Sequence, residues 1–197
     1  MEQGIVITGS RNDILEHINQ AEYGAHYLLI HPGLRVLREI YSSYVKTQLQ
    51  HKNEIVFILP HYETADSVRK VLSEGFGAEP NRINIRKYEN EGSLIIIDSI
   101  KGHFGSDDLT TFVKQLVKKA EGSGKKGVSM FADGGSFFHF KKLQELVEHE
   151  MSMPSKFDMN LKRFCVLDRK DFDILEEEQR QKLVKHHGKG LTVVKSE

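Results

Sequence analysis

The sequence predicts an α/β fold in which a mainly parallel central sheet lies between two layers of helices. Five short apolar runs alternate along the chain with segments whose apolar residues recur at helical spacing. Continuous apolar runs of this kind are typical of parallel strands that are buried on both faces. Right-handed crossovers between such strands produce a three-layer sandwich, here expected in a single domain.

The predicted strands are short and end at polar residues. The main strands, in chain order, are 27–30, 55–59, 94–97, 128–132 and 163–167. Alternation over 82–88 predicts a further strand at one edge of the sheet, and 191–194 predicts a last strand.

The predicted helices fall between these strands. They cover 12–21, 34–45, a segment from Thr64 or Asp66 to Gly75, then 109–120, 136–151 and 173–185. The clearest is 109–120, whose apolar residues recur every three or four positions and form one continuous stripe. Each helix therefore has one face that can cover the sheet.

Composition and charge exclude several classes of function. The chain has 28 Lys and Arg against 28 Asp and Glu, so its net charge is zero and predicts neither direct nucleic-acid binding nor membrane association. No apolar run approaches the roughly 20 residues that cross a bilayer, and no signal peptide is visible, so a cytoplasmic location is expected. The single cysteine, Cys165, excludes an internal disulfide and a zinc site made of several cysteines.

Polar side chains follow all five main strands. Ligands of open parallel sheets bind outside the carboxyl ends of the strands, so these side chains predict a small-molecule crevice at that edge. An aspartate just after a strand is also a common turn former or helix cap, and that alternative applies to each position. The residues at this edge are His31, His61, Asp98, Asp133 and Asp168, with Tyr62, Glu63, His103 and Ser136 nearby.

Two fragments resemble known motifs without completing them. The segment 122–125 (Gly-Ser-Gly-Lys) leaves a helix and enters a strand, the reverse of a phosphate-binding loop, and Lys126 stands where that loop needs Ser or Thr. His149 and Glu150 begin a zinc-protease motif whose second histidine is absent. Because the ten histidines have scattered spacing, the sequence predicts neither a metal site nor a cofactor.

Two further features leave alternatives open. Cys165, inside a predicted strand, is either a small buried hydrophobe or a thiol that faces a ligand. In the cluster 137–140, Phe137 and Phe140 are predicted to face the core, whereas Phe138 packs under a loop, lines a pocket or contacts a partner chain.

Three segments together resemble the MEDS family of sensory domains, named after methanogens, methylotrophs and the dichloromethane regulator DcmR. They are the opening strand 26–31 with the helix and strand that follow it, the helix 137–151, and the run 164–190 with its cysteine and closing histidine. The resemblance covers about residues 22–195. Gly188 departs from it, since many members have Pro after the final histidine.

The resemblance implies a RecA- or KaiC-like fold that has lost its nucleotide-binding loop, and a role in sensing small, hydrocarbon-derived molecules. It divides the chain into an N-terminal extension, 1–24, with a short helix, and a sensory domain, 25–195. By position, His26 and Cys165 match residues typical of the family, and Glu150 matches an acidic position late in its helix.

The expected function is therefore a non-enzymatic sensory domain that binds an unidentified small molecule at the carboxyl edge of the sheet. The alternatives are a RecA-like ATPase with a non-standard phosphate site and a protein-interaction module that forms homo-oligomers. Because no helix-turn-helix or kinase segment fits into the sequence, a separate signalling or transcription partner is expected. The candidate ligand-binding residues are His26, His31, His61, Asp98, Asp133, Ser136, Glu150 and Cys165.

Overall fold

The structure, a computed structural model, describes residues 4–77, 81–105 and 108–194. Within these residues the strands form one sheet of seven, in which every pairing is parallel. The strands are β1 (Ile5–Gly9), β2 (His26–His31), β3 (Ile55–Leu59), β4 (Leu94–Ile96), β5 (Val128–Asp133), β6 (Leu161–Asp168) and β7 (Lys189–Val193). Their order across the sheet is β1-β7-β2-β6-β5-β3-β4, which confirms the predicted fold class.

Helices cover both faces of this sheet. They are α1 (Arg11–Asn19), α2 (Leu34–Thr47), α3 (Ala65–Glu74), α4 (Ile85–Asn90), α5 (Ser99–Phe104), α6 (Leu109–Gly122), α7 (Gly135–His139), α8 (Leu143–Ser152), α9 (Arg169–Ile174) and α10 (Glu177–His186). A π-helical turn, Gln48–Lys52, extends α2. Helices α1–α4 pack on one face and α5–α10 on the other. No helix of the described segments is long and apolar enough to cross a membrane.

The central strand β6 shows how the three layers are held together. Successive side chains of a strand point to opposite faces, so Phe164 and Val166 pack against α1–α3 while Cys165 and Leu167 pack against α8–α10. Phe164 has no exposed surface. Burial of apolar surface on both sides of the sheet is the main favourable free-energy contribution to this fold.

Helix caps fix the predicted limits of α3. The Thr64 hydroxyl accepts a hydrogen bond from the Ser67 amide at 3.1 Å, which satisfies a donor that the first turn leaves free. At the other end, Gly75 has a φ of 82°, a conformation that glycine adopts without steric cost.

The predicted edge strand over 82–88 is wrong, because this segment enters helix α4. The Asn84 side chain accepts a hydrogen bond from the Lys87 amide at 3.1 Å and so begins the helix. Ile85 and Tyr88, three residues apart, then both pack against the core beside α3. A capping residue and helical spacing here outweigh a short alternation of polar and apolar residues.

The helix predicted over 136–151 is interrupted. The chain turns at Lys141, which has a φ of 56°, and separates α7 from α8. As a result Phe137 is buried as predicted, whereas Phe140 is 44% exposed, so its predicted inward position is wrong. The predicted helix 173–185 is likewise two helices, since Leu175 lies between α9 and α10 in an extended conformation.

The segment 4–24 contributes to the sheet as well as to the helical layers. Strand β1 pairs with β7 over Ile5–Gly9, and α1 buries Ile14 and Ile18 against the core. The short helix expected in this segment is therefore present, and it is preceded by a strand that the sequence pattern did not indicate.

A buried ion pair lies beneath α2 near the amino ends of the strands. The Lys162 ammonium donates to Glu54 Oε1 at 2.6 Å, and both side chains are almost fully buried. Ser129 donates to the other Glu54 oxygen and Tyr23 donates to Oε1. Tyr44 and Ser129 share a further hydrogen bond of 2.9 Å. Such a pair is costly to break because either partner alone is a buried, uncompensated charge.

We expect the Lys162→Met variant to lose about 3–5 kcal/mol of unfolding free energy, because the Glu54 carboxylate keeps no cation. The double variant Glu54→Gln/Lys162→Met is expected to recover much of this loss. Urea denaturation measures both, and Lys118→Met, at an exposed helix position, is a control expected to change stability by less than about 0.5 kcal/mol. Equal losses in the single and double variants would contradict the ion-pair interpretation.

Candidate functional site

The carboxyl ends of four neighbouring strands bring several of the predicted residues together. In sheet order, β2 ends at His31, β6 at Asp168 and β5 at Asp133, and His61 follows β3. Ser136 lies in the first turn of α7, directly after β5. We call His31, His61, Asp133, Ser136 and Asp168 the carboxyl-edge cluster.

Asp133 is the most perturbed member of this cluster. Its side chain is buried and accepts hydrogen bonds from the backbone N–H of Gly135 at 2.8 Å and of His61 at 3.4 Å. Burial raises the pKa of Asp133 to about 7. The two N–H donors lower this pKa, whereas the nearby carboxylates of Asp168 and Glu63 raise it. Near neutral pH this carboxyl group can therefore either donate or accept a proton.

Two other members of the cluster carry polar atoms that lack a partner. His31 Nδ1 accepts a hydrogen bond from the Gly33 amide at 3.2 Å, so in the neutral ring Nε2 carries the proton. Burial lowers the pKa of His31 although Asp168 lies 3.8 Å away, which favours that neutral ring. His31 Nε2 and Ser136 Oγ are buried, and neither has a hydrogen-bond partner within 4–77, 81–105 or 108–194.

A small cavity adjoins Asp133 beneath α2. Its volume is about 20 Å³, roughly the space of one water molecule. Glu63 stands in its wall, held by hydrogen bonds from Tyr41 at 2.9 Å and from Arg38 at 3.0 Å. The remaining wall is mostly apolar, formed by Leu34, Leu37, Ile58, Leu59, Pro60, Val68, Phe131 and Val166 together with His61 and Tyr62.

Asp98 and His103 have different positions at this edge. Asp98 is exposed and accepts a hydrogen bond from the Ile100 amide at 2.9 Å, so it has the helix-capping role that the sequence left open. His103 Nε2 lies 3.2 Å from the Asp133 carbonyl oxygen. The first of these residues supports α5, and the second joins α5 to the end of β5.

The structure separates His26, Glu150 and Cys165 from this edge. His26 is the first residue of β2, and His31 is the last. Five residues of strand span roughly 16 Å at about 3.3 Å per residue. Cys165 and Glu150 contact His26 and not the strand ends, so the expectation that all candidates serve one crevice at the carboxyl edge is wrong.

Those three residues meet His187, which precedes β7, in a second cluster. We call His26, Glu150, Cys165 and His187 the buried quartet. One side-chain atom of each lies within 4.8 Å of every other, and all four residues are buried. Cys165 is thus surrounded by polar groups and does not have the apolar surroundings of a simple core cysteine.

The quartet is missing from the sequence predictions because its members come from four separate segments. His187 is absent from the predicted ligand-binding residues, and the absence of a metal site was inferred from the spacing of histidines along the chain. One feature of the sequence could have indicated the quartet. The histidine before the last strand, Cys165 and Glu150 all belong to the resemblance to the MEDS family. Spacing alone does not show that these positions meet.

Comparisons with known proteins add no assignment. A scan against protein-family models finds no match, and a search of curated proteins finds no similar sequence. The resemblance to the MEDS family therefore stays a prediction.

We expect Asp133 to make stability fall as pH rises. Its folded-state pKa of about 7 exceeds its ordinary value of 3.8, so its stabilising contribution is complete below about pH 4 and is lost as pH rises to about 7. The slope over this interval is at most about 1.4 kcal/mol per pH unit. Urea denaturation from pH 4 to 8 should show this slope in the difference in unfolding free energy between the wild type and Asp133→Asn, because the buried histidines titrate in both proteins.

The Asp108→Asn variant supplies a contrast of opposite sign. The exposed Asp108 caps α6, and hydrogen bonds led by the one from Thr111 lower its pKa. The contribution of Asp108 to stability is therefore present above its ordinary pKa and lost on acidification.

A constant difference in unfolding free energy between the wild type and Asp133→Asn at every pH would contradict the interpretation of Asp133.

Proposed function

We propose that this chain is a cytoplasmic, non-enzymatic sensory domain that binds a very small polar molecule at the carboxyl-edge cluster. The observation that carries this proposal is that His31 Nε2 and Ser136 Oγ are buried without a hydrogen-bond partner among the described residues, at the same edge of the sheet as the buried Asp133. Open parallel sheets bind ligands at this edge.

The energetics of burial favour a polar ligand. A buried polar atom without a partner costs about 1–3 kcal/mol, and this edge of the sheet carries two such atoms as well as a carboxyl group whose pKa is raised to about 7. A ligand that donates to Asp133 and pairs with His31 or Ser136 removes part of that cost. A short-chain alcohol or amine has the required donor groups.

The size of the cavity limits the ligand and suggests how a signal arises. A volume of about 20 Å³ holds roughly one water molecule, so a larger ligand must displace part of the wall. The connection from β3 to α3 supplies His61, Tyr62 and Glu63 to that wall. A ligand with different affinities for two positions of this connection shifts their populations, which a separate signalling or transcription partner can detect.

The lengths of two strand-to-helix connections leave no room for a standard phosphate-binding loop, so the ATPase alternative requires a phosphate site of another kind. A phosphate-binding loop places six residues before its lysine between a strand and the following helix. Only Pro32 and Gly33 separate β2 from α2, and only Gly134 separates β5 from α7. The segment 122–125 joins the end of α6 to β5, so it enters the sheet at the amino edge.

A thermal-shift screen of short-chain alcohols, amines and carboxylates tests the proposed function. A ligand present at about 100 times its Kd is expected to raise the unfolding free energy by about 2.7 kcal/mol. We expect His31→Ala and Asp133→Ala to fold but to lose this ligand-induced shift, whereas Asp108→Ala, which removes an exposed helix cap, should retain it.

Native mass spectrometry of freshly purified protein complements the screen by detecting small molecules that copurify. Full ligand-induced stabilisation in both His31→Ala and Asp133→Ala would reject this site. Magnesium-dependent hydrolysis of ATP or GTP that follows the protein through purification would reject the non-enzymatic function and favour the ATPase alternative.

One observation favours the protein-interaction alternative as a second candidate. Strand β1 lies at the edge of the sheet, and its Ile5 and Val6 side chains are 56% and 59% exposed. An apolar edge strand with free backbone groups is a template for pairing with another chain. A second copy of this chain that pairs along β1 satisfies those groups.

Light scattering after size exclusion tests this alternative. A homodimer is expected for the wild type and a monomer for Val6→Lys, because a charged side chain on an edge strand opposes pairing. Asp108→Ala again serves as a control. A wild type that is monomeric at every concentration measured would contradict the homo-oligomer.

A further inference from the structure

We propose that the buried quartet is a zinc site in which His26, Glu150, Cys165 and His187 bind one ion in a tetrahedral arrangement. This site is separate from the carboxyl-edge cluster and does not depend on the function proposed for that edge. The argument uses the positions of the four ligand atoms, the protonation of the two imidazoles and the position of Arg163.

The distances between ligand atoms fit a tetrahedral metal site. Cys165 Sγ lies 3.0 Å from Glu150 Oε2 and 3.3 Å from His26 Nε2. Glu150 Oε2 lies 3.4 Å from the Nε2 atoms of both His26 and His187. Zinc bonds of about 2.0–2.3 Å give edges of about 3.4 Å in a tetrahedron. The other pairs of ligand atoms lie within 4.8 Å of each other, so those atoms must move closer together to bind one ion.

Backbone carbonyls orient both histidines toward the same point. His26 Nδ1 lies 2.9 Å from the carbonyl oxygen of Pro154, and His187 Nδ1 lies 2.7 Å from that of Leu183. A carbonyl oxygen only accepts hydrogen bonds, so each Nδ1 carries a proton, and the Nε2 atom of each neutral ring presents a lone pair. This arrangement is characteristic of metal-binding histidines.

The four converging atoms have too few protons to satisfy one another. Two imidazole lone pairs, a carboxylate oxygen and a sulfur meet, and the only proton among them in the neutral-ring state is that of the Cys165 thiol. In the part of the chain that the structure describes, the buried His187 Nε2 has no hydrogen-bond partner, although it lies 3.4 Å from Glu150 Oε2. A cation bound by all four atoms removes this mismatch of acceptors.

Arg163 positions two of the ligands from outside the quartet. Its Nη2 atom donates to Glu150 Oε1 at 3.2 Å, which leaves Oε2 free to face the other three residues. Its Nε atom donates to Cys165 Sγ at 3.3 Å, which holds the sulfur in position beside the other ligand atoms. Arg163 is thus a positioning residue for the carboxylate and the sulfur.

The set of ligands indicates both the metal and its role. Imidazole, thiolate and carboxylate together are ligands of zinc, and four protein ligands leave no open position for substrate, as in structural sites. The ion would join β2, β6, α8 and the segment between α10 and β7.

Metal analysis of the intact chain tests this proposal. Protein purified with a thiol reductant, incubated with zinc and dialysed is expected to retain about one zinc ion per chain. The variants Cys165→Ser and His187→Gln should each lower zinc affinity by more than about 100-fold, since even partners outside the ligand sphere contribute 10- to 100-fold. His186→Gln alters the neighbouring histidine, which is not a ligand, and should retain the ion.

Cobalt and thermal unfolding provide measurements that do not depend on the stability of a variant. Cobalt added to the metal-free wild type should give the absorption of a tetrahedral site, with a sulfur-to-metal charge-transfer band that Cys165→Ser lacks. Zinc should raise the unfolding temperature of the wild type in a concentration-dependent way.

Three results would overturn the zinc site. They are less than about one tenth of an ion per wild-type chain, equal zinc retention in the wild type and His187→Gln, and a cobalt spectrum without a sulfur band. The first of these would identify the quartet as a network of hydrogen bonds that share protons with Arg163. The carboxyl-edge ligand screen is unaffected by any of these results, so the two proposals fail separately.

Discussion

The parallel pairing of β2 with β6 is the constraint on which both clusters depend. Its register sets His26 opposite Arg163 at one end and His31 opposite Asp168 at the other. A slip of one residue would turn every side chain of β2 to the other face of the sheet. Because Leu28, Leu29 and Ile30 are buried between the two ends, such a slip is opposed by the apolar core itself. Hydrophobic patterning thus fixes the positions of the polar groups.

The same sheet supports two different electrostatic environments. At the carboxyl end, the carboxylates of Asp168 and Glu63 oppose ionisation of Asp133 and raise its pKa. The same edge carries buried polar atoms that have no hydrogen-bond partner among the described residues. At the amino end, Arg163 faces Glu150 and holds the pKa of that carboxyl well below its usual range, despite complete burial. The carboxyl-edge cluster favours a ligand with hydrogen-bond donors. The buried quartet favours a cation that accepts lone pairs from several side chains.

The sequence predicted the features that local chemistry determines. Apolar runs located the five main strands, and Thr64 and Gly75 located the ends of α3. Their parallel arrangement placed His31, His61 and Asp133 at one edge. Local patterns failed where a single residue changed the outcome, as at Lys141, where a positive φ ends one helix. They also failed for the quartet, because four segments meet there only through tertiary packing, which spacing along the chain does not reveal.

The two clusters are mechanically connected, although their chemistry is independent. Both clusters have members on β2 and β6, so an ion held by His26 and Cys165 would join the amino end of β2 to the middle of β6, and these two strands end at His31 and Asp168. Unpartnered buried atoms such as His31 Nε2 persist in a folded protein only where the surrounding structure determines their positions strongly. A zinc ion in the buried quartet would add to that constraint by joining β2 to β6. This constraint on β2 and β6 would help to hold the unpartnered polar atoms of the carboxyl edge in the positions where a ligand can bind them.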